Sequence, residues 1–141
     1  MVKTAVEADP QLIAFILPSI PESVTIARFH IRAALRLHHL DSFADNAEII
    51  TSELVTNAIQ HVGGDSTEIV RVALLRVRNP EAVTVVVTDS SPTGPVAREA
   101  PDSSGRGRGL RIVGALSDCW GWHPEDGGKA VYAVLAKQPS A

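Results

Sequence analysis

A single cysteine and the absence of any long apolar run set the first limits on this chain of 141 residues. With Cys119 alone, no internal disulfide can form and no cysteine-only metal site can be built. Its place beside Trp120 in an apolar run predicts a buried, inert thiol. The only early apolar stretch, Leu12 to Leu17, is too short to cross a bilayer. It follows Glu7 and Asp9 where a leader would carry basic residues, so a cytoplasmic location and no membrane contact are expected. Basic charge is not in excess: 13 Lys and Arg stand against 16 Asp and Glu, a formal charge of −3. That balance argues against direct nucleic-acid binding by the whole chain and leaves only a local cluster at Arg106, Arg108 and Arg111. No internal repeat or low-complexity segment is visible.

What is present is the ordinary material of one globular domain, with 45% hydrophobic and 21% charged residues. Residues 1–10 lack periodicity and are expected to be loose, 11–137 to form the domain, and 138–141 to be a tail. Gln11 to Leu17 reads as a strand ended by Pro18 and Pro21. Pro21-Glu22-Ser23 opens a helix to about Leu40, with Val24, Ala27, Ile31, Ala34 and Leu35 at helical spacing. Arg28, Arg32 and Arg36 form a stripe on it, read as a solvated face. His30, His38 and His39 have no second ligand set and read as surface or capping residues. A second helix, capped near Asp41-Ser42, runs to about Val62 and is broken by Gly63-Gly64-Asp65. Strands follow at Thr67 to Val77 and Val83 to Thr88, and the short turn between them requires antiparallel pairing. After a further helix, Ser117 to Trp122 and Lys129 to Ala136 read as the last two strands, joined by a turn at Gly127-Gly128.

Three features carry chemistry. In the second helix, Glu53, Asn57 and His61 are four residues apart and stack on one face, while apolar residues occupy much of the rest of the circumference. Buried polar groups need partners. Two explanations stand open: a core polar network, or a metal-nucleotide site in which Asn57 holds the cation and Glu53 handles a proton. Asp89 closes the Val83–Thr88 strand on the face of Val83, Val85 and Val87, and calls for a hydrogen-bond donor unless it only starts the turn Asp-Ser-Ser-Pro. The long segment Ser90 to Arg108 is rich in glycine and proline and reads as a mobile lid. It ends in Gly105-Arg-Gly107-Arg-Gly109-Leu110, at the start of a helix containing Ile112, Val113 and Leu116. A glycine-lined helix start offers free N–H groups and partial positive charge to a phosphate, and Arg106 and Arg108 add charge-assisted donors. A flexible hinge is the alternative.

The order of these features, above all Glu-Leu-Val-Thr-Asn-Ala at 53–58 and Gly-Arg-Gly-Leu-Arg-Ile-Val at 107–113, resembles the GHKL (histidine-kinase-like) ATPase family. Within it the chain is similar to the small anti-sigma-factor serine kinases and their single-domain ATP-binding relatives, over about residues 12–136. The resemblance implies an α+β fold: a two-layer sandwich with helices on one face of a mixed, mostly antiparallel sheet, and an ATP lid. It implies that Asn57 coordinates Mg2+, that Glu53 is the general base, and that Asp89 accepts from the adenine amino group. It implies that Gly105, Gly107, Arg108 and Gly109 surround the phosphates, with His61, Gly94, Arg106, Leu110 and Lys129 also in the nucleotide site.

Two departures stand out. The family's Asp-x-Gly-x-Gly reads Asp89-Ser-Ser91-Pro-Thr93 here, with Gly94 adjacent, and Ala130 stands near the place of a last-strand threonine. The expected function is an ATP-dependent serine/threonine protein kinase that acts on a small antagonist protein and binds a sigma factor. The alternative is a non-catalytic partner-binding module with a degenerate nucleotide site. Relatives of this type pair through the first helix and sheet, which makes Arg28 a candidate homodimer position.

Overall fold

The computed structural model describes residues 11–61, 68–78, 80–91 and 109–137. Five strands form one sheet: β1 (Gln11–Pro18), β2 (Ile69–Arg78), β3 (Glu81–Asp89), β4 (Cys119–Glu125) and β5 (Gly128–Ala136), in the order β1-β2-β3-β5-β4. Three α-helices, α1 (Ser23–Leu37), α2 (Ala44–His61) and α3 (Gly109–Leu116), with a short 3-10 helix at Asp41–Phe43, complete the described part. Every strand pairing is antiparallel, so the mixed component expected of the sheet is absent among the described residues. The fold is α+β.

Side-chain alternation decides which face is covered. Val70, Val72 and Leu74 of β2, Val83, Val85 and Val87 of β3, and Val131, Ala133 and Leu135 of β5 are all buried in one cluster with the helices. From α1 the cluster takes Ala27, Ile31, Ala34 and Leu35, and from α2 Ala47, Ile50, Leu54, Val55, Ala58 and Ile59. These spacings follow the helical repeat, so each helix turns one apolar stripe to the sheet. The helix α1 starts where the Ser23 hydroxyl donates to the Pro18 carbonyl at 2.6 Å, which ties the end of β1 to the helix. It stops at His39, whose φ of 60° is the left-handed geometry of a helix C-terminus.

The arginine stripe on α1 is not a bare solvated face. Arg28 reaches Glu48 at 3.1 Å, and Arg32 pairs with both Glu48 and Asp45 on α2. The Arg32 guanidinium, followed by Arg28, holds the Glu48 carboxyl below the usual range. The stripe therefore ties α1 to the beginning of α2, a contact between separate helices that spacing within α1 cannot show. His30 is also placed differently from a free surface residue: its ring lies 5.0 Å from Phe15 and 5.6 Å from Phe29.

Cys119 corrects another expectation, since its thiol is exposed. Among the described residues strand β4 pairs only with β5 and forms an edge, and alternation along it turns Trp120 toward the core and Cys119 away.

The register of β3 and β5 sets the far end of the sheet. Asp89 lies opposite Lys129 and Thr88 opposite Ala130. Beside this pair the strands approach so closely that a Cβ on Gly128 would overlap the Asp89 carbonyl oxygen. The obstacle is backbone, so a rotamer change cannot relieve it. Gly128→Ala is expected to cost about 3 kcal/mol or more of unfolding free energy. Urea denaturation measures this, and an unchanged midpoint would contradict the packing.

Candidate functional site

The helix α2 crosses the sheet with its apolar stripe against β3 and packs along α3. Its polar stripe, one helical turn per step, carries Glu53 and Asn57, both half-buried. His61 is the last residue of the helix, and its side chain lies outside the described residues. Glu53 ends against the first residue of α3: a Cβ placed on Gly109 would come within 2.8 Å of the Glu53 carboxylate oxygen Oε1. Two segments 56 positions apart in sequence thus meet at one point. A side chain at this position would meet the flexible end of Glu53 and displace it.

Burial has an electrostatic consequence at Glu53. Partial removal from water disfavours the ionised form and pushes its carboxyl pKa up. A carboxyl group shifted in this direction is a stronger proton acceptor than a fully solvated glutamate. Next to it is the N-terminal end of α3, and backbone N–H groups at the start of a helix are the donors that an anion needs. Leu110 contributes to this end only through its backbone, because its side chain is 4% exposed and belongs to the core.

A cation fits this donor set in one way. No group of three or more His, Cys, Asp and Glu side chains is found among the described residues. A magnesium ion held by the Asn57 carboxamide would therefore draw its other oxygens from phosphate and water, which is the usual habit of this ion.

Asp89 lies at the end of β3, 5% exposed, on the helix-covered face with Val83, Val85 and Val87. The donor it calls for is internal. Lys129 Nζ donates to both carboxylate oxygens, at 3.1 and 2.9 Å, and the Ser91 N–H donates to Oδ1 at 2.8 Å. Both charged side chains are 1% exposed. By the same alternation it is Lys129, and not Ala130, that shares this face, because Ala130 pairs with Thr88 one residue on. A lysine inside the apolar strand Gly128–Ala136 is the one local hint of this pair.

The structure brings together Glu53 with Gly109, and Asp89 with Lys129. Gly94, Gly105, Arg106, Gly107 and Arg108, with the lid reading of this segment, lie outside the described residues.

The raised Glu53 pKa has a definite sign in stability. The folded chain holds this proton to higher pH than the unfolded chain does. The contribution of the group is therefore fully present below the unfolded carboxyl range and is lost as pH rises through the raised value. Glu53→Gln is expected to melt above the wild type at pH 8 and to converge with it at pH 4. Melting curves at the two pH values check this, and a pH-independent difference would contradict it.

Comparisons with known proteins bear on the family and the fold. The model of the histidine kinase-like ATPase domain matches residues 17–135. No curated protein sequence matches the chain. Among solved structures it is similar to that of the RsbU and RsbW domains of Rv1364c from Mycobacterium tuberculosis, with a TM-score of 0.64 and 18% identity. That match covers 93% of this chain and 34% of the other, so the chain spans about a third of the solved protein's length. At that identity the likeness is one of fold. With the family model running from the end of β1 into the last strand, the chain belongs to the histidine kinase-like ATPase family.

Proposed function

We propose that the chain binds Mg–ATP between α2 and the start of α3 and transfers the γ-phosphoryl group to a serine or threonine hydroxyl of a small antagonist protein. The observation that carries this reading is the Glu53 carboxylate held against Gly109, which puts a proton acceptor beside a phosphate-binding helix start. When bound, Mg–ATP supplies the phosphoryl group and the ADP that leaves. Glu53 takes the proton of the attacking hydroxyl as its oxygen bonds to phosphorus. The N–H groups at the start of α3 hold phosphate oxygens, and Asn57 holds the cation through its carboxamide oxygen. Phosphoryl transfer needs chiefly such positioning and charge neutralisation. Gly94, Gly105, Arg106, Gly107 and Arg108 belong to the same reading as phosphate-side residues, and His61 as a wall of the site.

On the sequence resemblance to the anti-sigma-factor kinases, the protein held by this chain is a sigma factor and the work is cytoplasmic in this reading. A partner surface on α1, for the sigma factor or a second copy, is supported by Phe29 and Leu37, which are 68% and 75% exposed. Among the described residues no helix is long and apolar enough to cross a membrane.

One observation favours a second reading, a non-catalytic module that binds partners. Asp89, the expected acceptor for adenine, already has its donors in Lys129 and Ser91. The two readings separate in one pair of measurements. On the kinase reading, Mg–ATP at about 100 times its dissociation constant stabilises the chain by about 2.7 kcal/mol. Transfer of labelled γ-phosphate to an antagonist protein then falls about 10²-fold or more in Glu53→Ala, while the thermal stabilisation by Mg–ATP persists. Gly109→Ala is expected to lose transfer as well, because its methyl displaces the flexible tip of Glu53, yet to melt within about 1 kcal/mol of the wild type. Equal transfer by Glu53→Ala and wild type would remove Glu53 from the chemistry, and no stabilisation by millimolar Mg–ATP would leave only the module.

A further inference from the structure

At the end of β3 the carboxylate expected to read the base is occupied by the protein itself. Asp89 and Lys129 face each other directly across β3 and β5, on the face covered by helices. The ammonium group straddles both carboxylate oxygens, at 3.1 and 2.9 Å, and the Ser91 amide takes a further position on Oδ1 at 2.8 Å. Neither side chain has appreciable contact with water.

Three constraints keep this pair closed. The carboxylate is fixed by the backbone turn through the Ser91 N–H. The lysine is fixed by strand register, and the absence of a Cβ at Gly128 lets β5 lie directly against the Asp89 carbonyl. The charges are fixed by energy. Separating a buried ion pair leaves a charge without compensation, which costs more than one neutral hydrogen bond from a base amine can return. An exocyclic amine therefore cannot displace the ammonium from Asp89.

We propose that Lys129 is a specificity-determining residue that removes amine-based base selection, so that this site takes nucleoside triphosphates by their magnesium-triphosphate end with little preference for adenine. The inference rests on the nucleotide-binding reading above. It adds that the ion pair substitutes for the base as the partner of Asp89, with the affinity residing at Asn57 and the start of α3.

Calorimetric titration with ATP and with inosine triphosphate, each with excess magnesium, tests it. Inosine triphosphate keeps the purine ring but carries a carbonyl where adenine has its amine. The wild type is expected to bind the two with dissociation constants within about threefold, as neutral discrimination requires. In Lys129→Met, which keeps the bulk of the side chain and removes the ammonium from both oxygens of Asp89, leaving Oδ2 without its Lys129 donor, ATP is expected to bind tenfold or more tighter than inosine triphosphate. A wild type preferring ATP tenfold or more overturns the proposal and leaves the nucleotide reading intact. Equal binding of the two nucleotides by Lys129→Met removes Lys129 from the discrimination and also overturns it. Binding of neither by the wild type overturns the nucleotide reading and this inference with it. If Lys129→Met does not fold, the wild-type ratio decides alone.

Discussion

The site depends on a carboxylate that is held partly out of water at the point where another helix begins. Glu53 could lie in a wet groove without strain, but there it would be an ordinary glutamate. Packed against Gly109, it loses solvent, its ionised form becomes less favourable, and the N–H groups of α3 lie beside it. The arrangement is possible because α2 is fixed by Ile50, Leu54, Val55, Ala58 and Ile59 in the core, and α3 by Leu110 and Val113. Apolar burial supplies the rigidity, and the polar stripe of α2 is positioned as a consequence. Some stability is given up at Glu53 when it ionises, because its carboxylate is partly removed from water.

The other end of the site follows a different rule. Asp89 and Lys129 are both charged and both removed from water, and each answers the requirement of the other. Such a pair is weak evidence for stability, since desolvation offsets much of its attraction. Its consequence lies in what it denies to other molecules. A carboxylate already bound by an ammonium and a backbone amide has little left to offer an incoming donor. The two ends thus differ: one is a half-buried carboxyl with a raised pKa, the other a closed ion pair.

Much of the fold was legible because it is written in short-range periodicity. Val83, Val85 and Val87 alternate, and this was enough to place Asp89 on the buried face beside them. The four-residue steps of Glu53 and Asn57 placed them on one face of a helix, and the glycine before Leu110 placed a helix start near Gly109. What escaped was pairing between segments far apart in the chain. The insertion of β5 between β3 and β4, and therefore the match of Asp89 with Lys129, depends on strand order and register that no local pattern encodes. Ala130 and Lys129 differ by one position, and in a strand one residue is the difference between two faces. Cys119 failed for a related reason, since an apolar neighbourhood in sequence does not say which strand forms the edge. The arginine stripe of α1 was visible, but its acidic partners on α2 were not.

The account stands or falls on whether the polar stripe of α2 and the start of α3 bind one and the same ligand. Amide and side-chain NMR shifts during titration with a magnesium-bound, non-hydrolysable ATP analogue test this directly. The account predicts that the Asn57 carboxamide and the Gly109 and Leu110 amides shift together along a single saturable curve. Saturable shifts confined to one of these segments, or located on the opposite face of the sheet, would contradict it.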